Sequence, residues 1–363
     1  MESIVAVGGP VDSPSFRRRS CSSRLCLRLA GRSMPNLIDT LPREYLEGLM
    51  SFGVRHIRPM HESREAVIDP ASPSPIRKGL RYELSPYTLG QLEKIGQAKF
   101  EIGRLTADDF LAPWNADAAA LWNIAQSVNA SSEIEGEEIP ASKLELALAA
   151  ATKPIARRLD EELERRMEAI ASIIRTLLWA LFEPPTEFVS FDFVLEVHRR
   201  MFAATSGDTA GQLKTKRVAI EGGGYNIKTL PPEKTALFLT TLCERTNTSL
   251  IGDEQSRFLT IAEFVVDFLA IHPFHDGNGR AARLLSTYLL ERCGYHFARF
   301  YPVDNVILER RSDYYDALFR AQSRWYQDDE DLTPWIEFYT DVVFSQYSRA
   351  LQRVKDASGR GRE

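Results

Sequence analysis

The chain has 363 residues, 44 % hydrophobic and 26 % charged, which is the balance of a folded globular protein and excludes a mainly disordered, collagen-like or disulfide-stapled one. The net charge of −5 is uneven. Residues 1–33 hold six arginines against Glu2 and Asp12, a head of +4, which leaves −9 on the rest of the chain. So acidic a body lacks the basic face of a nucleic-acid groove, and no nucleic-acid partner is expected.

In chain order, the basic head comes first. Residues 1–35 are rich in Ser and Arg and too poor in apolar residues to fold, so they are predicted to be a disordered extension. Its arginines cluster and do not form the amphipathic stripe of a targeting segment. Cys21, Cys26, Cys243 and Cys293 show neither zinc nor redox spacing and are read as reduced thiols of a cytoplasmic protein. Residues 36–90, with Pro59, Pro70, Pro73, Pro75 and Pro86, read as a loop-rich lead-in.

Helices are predicted from Leu92 to Arg104, from Asp117 onward, over Lys143–Thr152 with Ser142 as cap, and over Asp160–Phe182. The apolar stretch Ala169–Phe182 is too short for a bilayer and contains Arg175, so it reads as a buried helix and no membrane partner is expected. Pro184-Pro185 marks a boundary. Beyond it Ser190 can cap a helix to about Ala204, and Lys216–Ile227 reads as a hairpin around Gly222-Gly223-Gly224. Further helices fall at about 232–245, 256–270, 280–293, 310–322 and 333–354. The fold class is all-α with one small β-hairpin. The predicted division is a head (1–35), an N-terminal helical domain (36–185), a core (186–300) and C-terminal helices that complete it (301–363).

The informative segment is His272-Pro273-Phe274-His275-Asp276-Gly277-Asn278-Gly279-Arg280, between a helix apolar almost all round and one ended by Gly294. Gly277 and Gly279 let consecutive N–H groups converge, and the loop opens into a helix N-terminus, where phosphate is favoured. Arg280 and Arg283, three apart, share a face and suit a polyphosphate. Asp276 can hold a magnesium ion if the nucleotide and water supply its other ligands. His272 lies four residues before Asp276, placed to act as a base at the same phosphorus. A zinc site on His272 and His275 fits no common spacing. A Gly-Asn-Gly turn alone would be an ordinary helix connection; all nine residues in order are not.

That segment resembles the signature of the Fic (Fido) family, His-Pro-Phe-x-Asp/Glu-Gly-Asn-Gly-Arg-x-x-Arg, at every position from His272 to Arg283. The resemblance extends over about residues 190–345, including Asp313-Tyr314-Tyr315-Asp316-Ala317-Leu318 and Asp331-Leu332-Thr333-Pro334-Trp335-Ile336. It implies a helical Fic domain with a β-hairpin flap, and transfer of AMP from ATP to a Ser, Thr or Tyr hydroxyl of a target protein. By resemblance, His272 takes the hydroxyl proton and Asp276 holds Mg2+. Gly277, Asn278 and Gly279 form the anion hole, Arg280 and Arg283 grip the β- and γ-phosphates, and Tyr314 contacts the adenosine end. Phe274 reads as a core anchor. Gly279 bears on the chemistry, because a branch related to the Doc toxins has Lys there and resembles a kinase of its target.

Ser131-Ser132-Glu133-Ile134-Glu135-Gly136 places Ser131 and Glu135 on one helix face, a spacing that by itself means only a solvated helix end. It is similar to the Fic inhibitory motif, Ser/Thr-x-x-x-Glu-Gly/Asn. The implication is a carboxylate on Glu135 that occupies Arg283 in place of the γ-phosphate. The implied partners are ATP and a protein substrate, the chain itself included, and proteins of this class often pair as homodimers. Two other readings stand beside this one: removal of AMP from a modified protein by the same site, and a nucleotide-binding regulator without catalysis. A pure binder has no need of His272, which weighs against the regulator.

Overall fold

The computed structural model describes residues 81–104, 117–137, 139–152, 161–182, 188–222, 225–299, 303–327 and 329–360. The basic head, Cys21, Cys26, Gly223-Gly224 and Pro184-Pro185 lie outside the described residues. The elements, in order, are α1 (Pro86–Arg104), α2 (Asp117–Ile134), α3 (Ala141–Thr152), α4 (Glu161–Phe182), α5 (Phe191–Ser206), β1 (Ala219–Gly222), β2 (Tyr225–Lys228), α6 (Pro232–Ser249), α7 (Glu254–Ile271), α8 (Asn278–Arg292), α9 (Asp304–Glu309), α10 (Arg311–Gln322) and α11 (Thr333–Arg360). Among the described residues the architecture is the expected all-α one with a single hairpin. No described helix is long and apolar enough to cross a membrane.

Local chemistry sets the boundaries. Helix α1 starts at Pro86 and not at Leu92, because Ser85 Oγ accepts from Thr88 N at 3.1 Å and Pro86 suits a first turn. Helix α3 begins at Ala141, so Ser142 falls inside its first turn and is no cap. Ser190 does cap α5, accepting from Phe193 N at 3.1 Å, and Asp253 caps α7 through Ser256 N at 2.9 Å. The helix expected at 310–322 is preceded by a separate short one, α9. Arg310, at φ −117 and ψ 35, breaks the two apart. In the hairpin Ala219 faces Lys228 and Gly222 faces Tyr225, so the ladder begins three residues later than the expected Lys216.

Helix α7 is the buried centre, as its all-round apolar sequence requires. Phe258, Leu259, Ile261, Phe264, Val265, Val266 and Phe268 are all buried, with α6, α8 and α11 packed on it. Cys243 and Cys293 are buried and form no disulfide among the described residues. Charges also enter this core. Arg81 binds Asp267 through two bonds of 2.6 and 2.8 Å and Glu330 through one of 2.7 Å, fastening the segment before α1 to α7. Helix α8 ends in a Schellman turn, with Gly294 at φ 88, Tyr295 N donating to Leu290 O and Gly294 N to Glu291 O. Its N-terminus at Asn278 follows the end of α7 at Ile271, and the loop between them is the candidate site.

Candidate active site

The loop from His272 to Gly277 is built by its own backbone. His272 closes α7 in the left-handed region, φ 51 and ψ 64, with its N–H on Phe268 O at 2.9 Å. It is the one non-glycine residue with positive φ among the described residues. Its Nδ1 lies 3.2 Å from Leu269 O. A carbonyl can only accept, so Nδ1 carries the proton and Nε2 keeps its lone pair. Burial, and after it the charge of Lys214, draws the His272 pKa down to about 4, so the ring is neutral near pH 7.

Asn278 staples the loop shut. Its Oδ1 accepts from Phe274 N at 3.0 Å and its Nδ2 donates to Phe274 O at 2.9 Å. Phe274 is fully buried, as an anchor should be. Gly277 precedes α8 at φ 75, and a Cβ there would run into the Phe202 ring, so both conformation and space require glycine. The first intrahelical bond of α8 runs from Ala281 N to Gly277 O. The amides of Asn278, Gly279 and Arg280 are thus first-turn donors with no intrahelical acceptor, a ready anion site.

Both signature arginines meet carboxylates from the turn after α2. Arg283 is 2 % exposed; it donates to Ser131 Oγ, Ser131 O and Glu135 Oε1, each at 2.8 Å. Asp304 lies 3.4 Å from its Nε and is itself held by Ser127 Oγ at 2.6 Å. Arg283 therefore has a buried counter-charge in Asp304 and a partly solvated one in Glu135, whose side chain is 31 % exposed. Arg280 pairs with Glu137, whose side chain is 59 % exposed, and its guanidinium lies 4.7 Å from the centre of the Phe202 ring. Arg280 Nε is buried with no hydrogen-bond partner. Gly136, at φ 85, turns the chain so that Glu135 and Glu137 reach different arginines. A cavity of about 390 Å³ runs along the Arg280 side of the loop, walled in part by Glu137, Asp276, Phe202 and Arg280.

The Asp276 carboxylate is 75 % exposed, one oxygen accepting from Gly277 N at 2.6 Å and the other 3.4 Å from Arg280. Among the described residues no three His, Cys, Asp or Glu side chains are grouped to hold a metal. The donor set therefore fits a magnesium ion bound through one hard oxygen with phosphates and water completing its shell, and does not fit a closed protein cage. Tyr314 is buried against Trp335 and Phe338, and its hydroxyl accepts from Arg283 Nη1 at 3.4 Å.

Several residues at the site carry no motif. His198 Nδ1 accepts from Gly211 N at 2.9 Å, which leaves Nε2–H to donate to Asp276 O at 3.0 Å, and its ring stacks on Phe274 at 3.7 Å. Burial brings its pKa to about 4 as well. Lys214 and Asp304 hold the loop and Arg283 from outside the signature. Tyr315 donates to Ile134 O at 3.0 Å and steadies the end of α2. A buried polar residue on an apolar helix face, as His198 is on α5, is the one sequence signal that points to any of them.

The Fic/DOC family model matches residues 188–290. Protein adenylyltransferase fic-1 of Caenorhabditis briggsae is 27 % identical over 187 residues, covering 51 % of this chain and 33 % of that protein. Protein adenylyltransferase Fic of Drosophila sechellia is 30 % identical over 155 residues, covering 41 % and 27 %. The chain thus spans about a third or less of the length of the curated relatives it matches. The crystal structure of a Fic family protein from Desulfovibrio desulfuricans superposes with a TM-score of 0.61 at 24 % identity, over 75 % of this chain and 76 % of that one. Fic-1 from C. elegans gives 0.55 at 20 % identity over 75 % and 74 %, and both show the same fold. The hairpin, the loop and both arginines lie within the matched span, while Ser131, Glu135 and Glu137 lie before it: residues 188–290 are a Fic/DOC family domain.

Proposed function

We propose that this site transfers AMP from ATP to a hydroxyl side chain of a target protein and is held off by Glu135. His272 carries the reading. A neutral imidazole with Nδ1–H committed to Leu269 O presents Nε2 as a base, and a pure nucleotide binder has no use for one. The incoming Ser, Thr or Tyr oxygen attacks the α-phosphorus, its proton passes to Nε2, and the bond from the α-phosphorus to the bridging oxygen breaks to release pyrophosphate. Gly277 N is taken by the Asp276 carboxylate and Gly277 shapes the turn, so the amides of Asn278, Gly279 and Arg280 take the charge on the α-phosphate. The Arg280 and Arg283 side chains hold the leaving phosphates. The unpartnered Arg280 Nε is a donor suited to that task. Asp276 would hold a magnesium ion, which would supply positive charge against the phosphates. Tyr314, beside Arg283, belongs to the nucleotide end of the site.

In the resting protein Arg283 is satisfied by Ser131 and Glu135, so a γ-phosphate has to compete with a carboxylate for the same Nη2 donor. Asp304 keeps the guanidinium in place whichever anion wins. The test is Glu135→Gly incubated with ATP labelled at the α-phosphate, with a lysate and alone. Label should enter protein, mass spectrometry should find an added AMP on a hydroxyl residue, and His272→Ala on that background should remove it. No label in Glu135→Gly ends the proposal.

One observation favours a second reading. Glu135 also acts electrostatically on His272 and pulls its pKa upward. A carboxylate on the same side of the site as the base would align a water, whose oxygen would attack the phosphorus of an AMP-modified protein and free the side-chain hydroxyl. Release of AMP from a modified substrate by the unaltered chain, lost in Glu135→Gly, separates the two. The domain reading that goes with both is an N-terminal helical part (36–185) bearing the brake, ahead of the 186–300 core and the 301–363 helices. A protein substrate, the chain itself included, a homodimer and a cytoplasmic setting belong to the same proposal.

A further inference from the structure

Lys214 stands outside every motif, yet it is 2 % exposed and lies against the loop that carries His272. Its Nζ donates to Ile271 O at 2.8 Å and to Thr229 Oγ1 at 3.1 Å. Its backbone N–H donates to Pro273 O at 2.8 Å. The next residue continues the grip, with Thr215 N donating to His275 Nε2 at 3.0 Å. The carbonyls on both sides of His272 are therefore fixed by one residue. Ile271 O lies in the peptide plane that enters His272, and Pro273 O lies one peptide beyond the plane that leaves it, with the φ of proline fixed between. The chain is thus held on both sides of the left-handed conformation of His272, which is disfavoured for a residue with a Cβ.

The third contact leads elsewhere. Thr229 is the first residue after β2, and both its N–H and its hydroxyl donate to Val218 O at the other foot of the hairpin. The Lys214 ammonium thus joins the foot of the hairpin to the carbonyl that precedes the base. Burying a primary amine is unfavourable, and a core methionine of similar length would fill the space without that cost.

We propose that Lys214 is a positioning residue of this site, holding His272 in its left-handed conformation and coupling that conformation to the foot of the β1–β2 hairpin. Its charge reaches the base as well. Burial lowers the His272 pKa most and Lys214 second, while the Leu269 carbonyl, Glu135 and Asp276 oppose them. Lys214 is itself brought down to about 7, by burial first and then by Arg217. These are the charged and hydrogen-bonding groups that face the pair from α7, the loop, the brake turn and the segment before β1.

The kinetic consequence rests on the AMP-transfer reading; the effect on His272 does not. The experiment uses the full chain with carbon-13 labelled histidine, His272 being assigned by the peak lost in His272→Gln. Its titration is then followed in Lys214→Arg, Lys214→Gln and Lys214→Met. Lys214→Gln keeps both hydrogen bonds in reach without the charge, and it guards against a misfolded methionine variant. The His272 midpoint should rise by about one pH unit in Gln and Met and stay near its original value in Arg. On the Glu135→Gly background, Lys214→Met should lower kcat roughly 10- to 100-fold with the KM for ATP little changed, and shift the acid limb upward. A folded Gln or Met variant whose His272 titrates as in the unaltered chain overturns the proposal, whether or not any transfer is seen. Absence of transfer in Glu135→Gly itself would fall on the AMP reading and leave the titration to judge Lys214.

Discussion

The signature loop, 272–280, and the turn whose carboxylates meet its arginines, 131–137, are held in opposite ways. The loop is fastened by buried hydrogen bonds to backbone: Asn278 to both ends of Phe274, His198 to Asp276 O, Lys214 to Ile271 O and Pro273 O. No anion in solution competes for those acceptors. Glu135 and Glu137, by contrast, reach Arg283 and Arg280 as carboxylates partly in water. Their hold is of the same kind as that of a phosphate, so a phosphate can replace it. Rigid geometry thus lies where the proposed base is aimed, and exchangeable charge where the proposed restraint acts.

The comparison can be broken or sharpened in order of expected effect. Removing the aimed group should matter most: His272→Ala on the Glu135→Gly background should lower the transfer rate by about 10²–10⁴, read as label incorporated per minute with the melting temperature followed in parallel. Next comes release of the deeper carboxylate. Glu135→Gly should tighten ATP binding and raise transfer by roughly 10-fold or more, since a charge-assisted bond to a buried guanidinium is worth about 1.5–3 kcal/mol; titration calorimetry and the labelling assay check both parts.

Acid should attack the fastened side. His198 and His272 both have native pKa values near 4, against about 6.5 in an unfolded chain. Between those limits the unfolded chain binds protons that the native one refuses. Stability is therefore full above about pH 6.5 and declines as the pH falls toward 4. The melting temperature at pH 5 should lie below that at pH 7.5, by less in His198→Gln relative to its own value at the higher pH. Smallest is the shallow pair: Glu137→Ala should improve ATP binding by less than about fivefold, because exposed pairs contribute up to about 1 kcal/mol, and 0.5 M salt should erase the difference.

Much of this was legible in the sequence where local rules act alone. Ser190 caps α5, Gly294 ends α8, and the periodicity of α7 marks a helix buried all round. The signature could be read because its chemistry is contiguous from His272 to Arg283. The Glu135–Arg283 pair could be anticipated only through the resemblance of Ser131–Gly136 to the family's inhibitory motif, because the spacing alone is that of a solvated helix end. What stayed hidden depends on residues far apart in the chain. Lys214, His198 and Asp304 act on groups 57, 78 and 21 positions away, respectively on Ile271, Asp276 and Arg283. No local pattern marks them, only the oddity of a charge or imidazole among apolar neighbours. Nothing local marks Glu137 either, and it reaches Arg280 through the turn at Gly136.

Gly279 links the two regions through the volume of a single carbon. It lies inside α8 at a negative φ, so its backbone does not call for glycine. A methyl group there would fall on the Glu135 carboxylate and 3.2 Å from Arg283 Nη1. What it would meet is the free end of a flexible side chain, which can swing away while the backbone stays put. Gly279→Ala should therefore evict Glu135 without altering any residue of the 131–137 turn. On the proposed reading, any side chain at this position would disturb the restraint, and a basic one would also set a new charge beside the phosphates, so the residue at 279 bears on both at once.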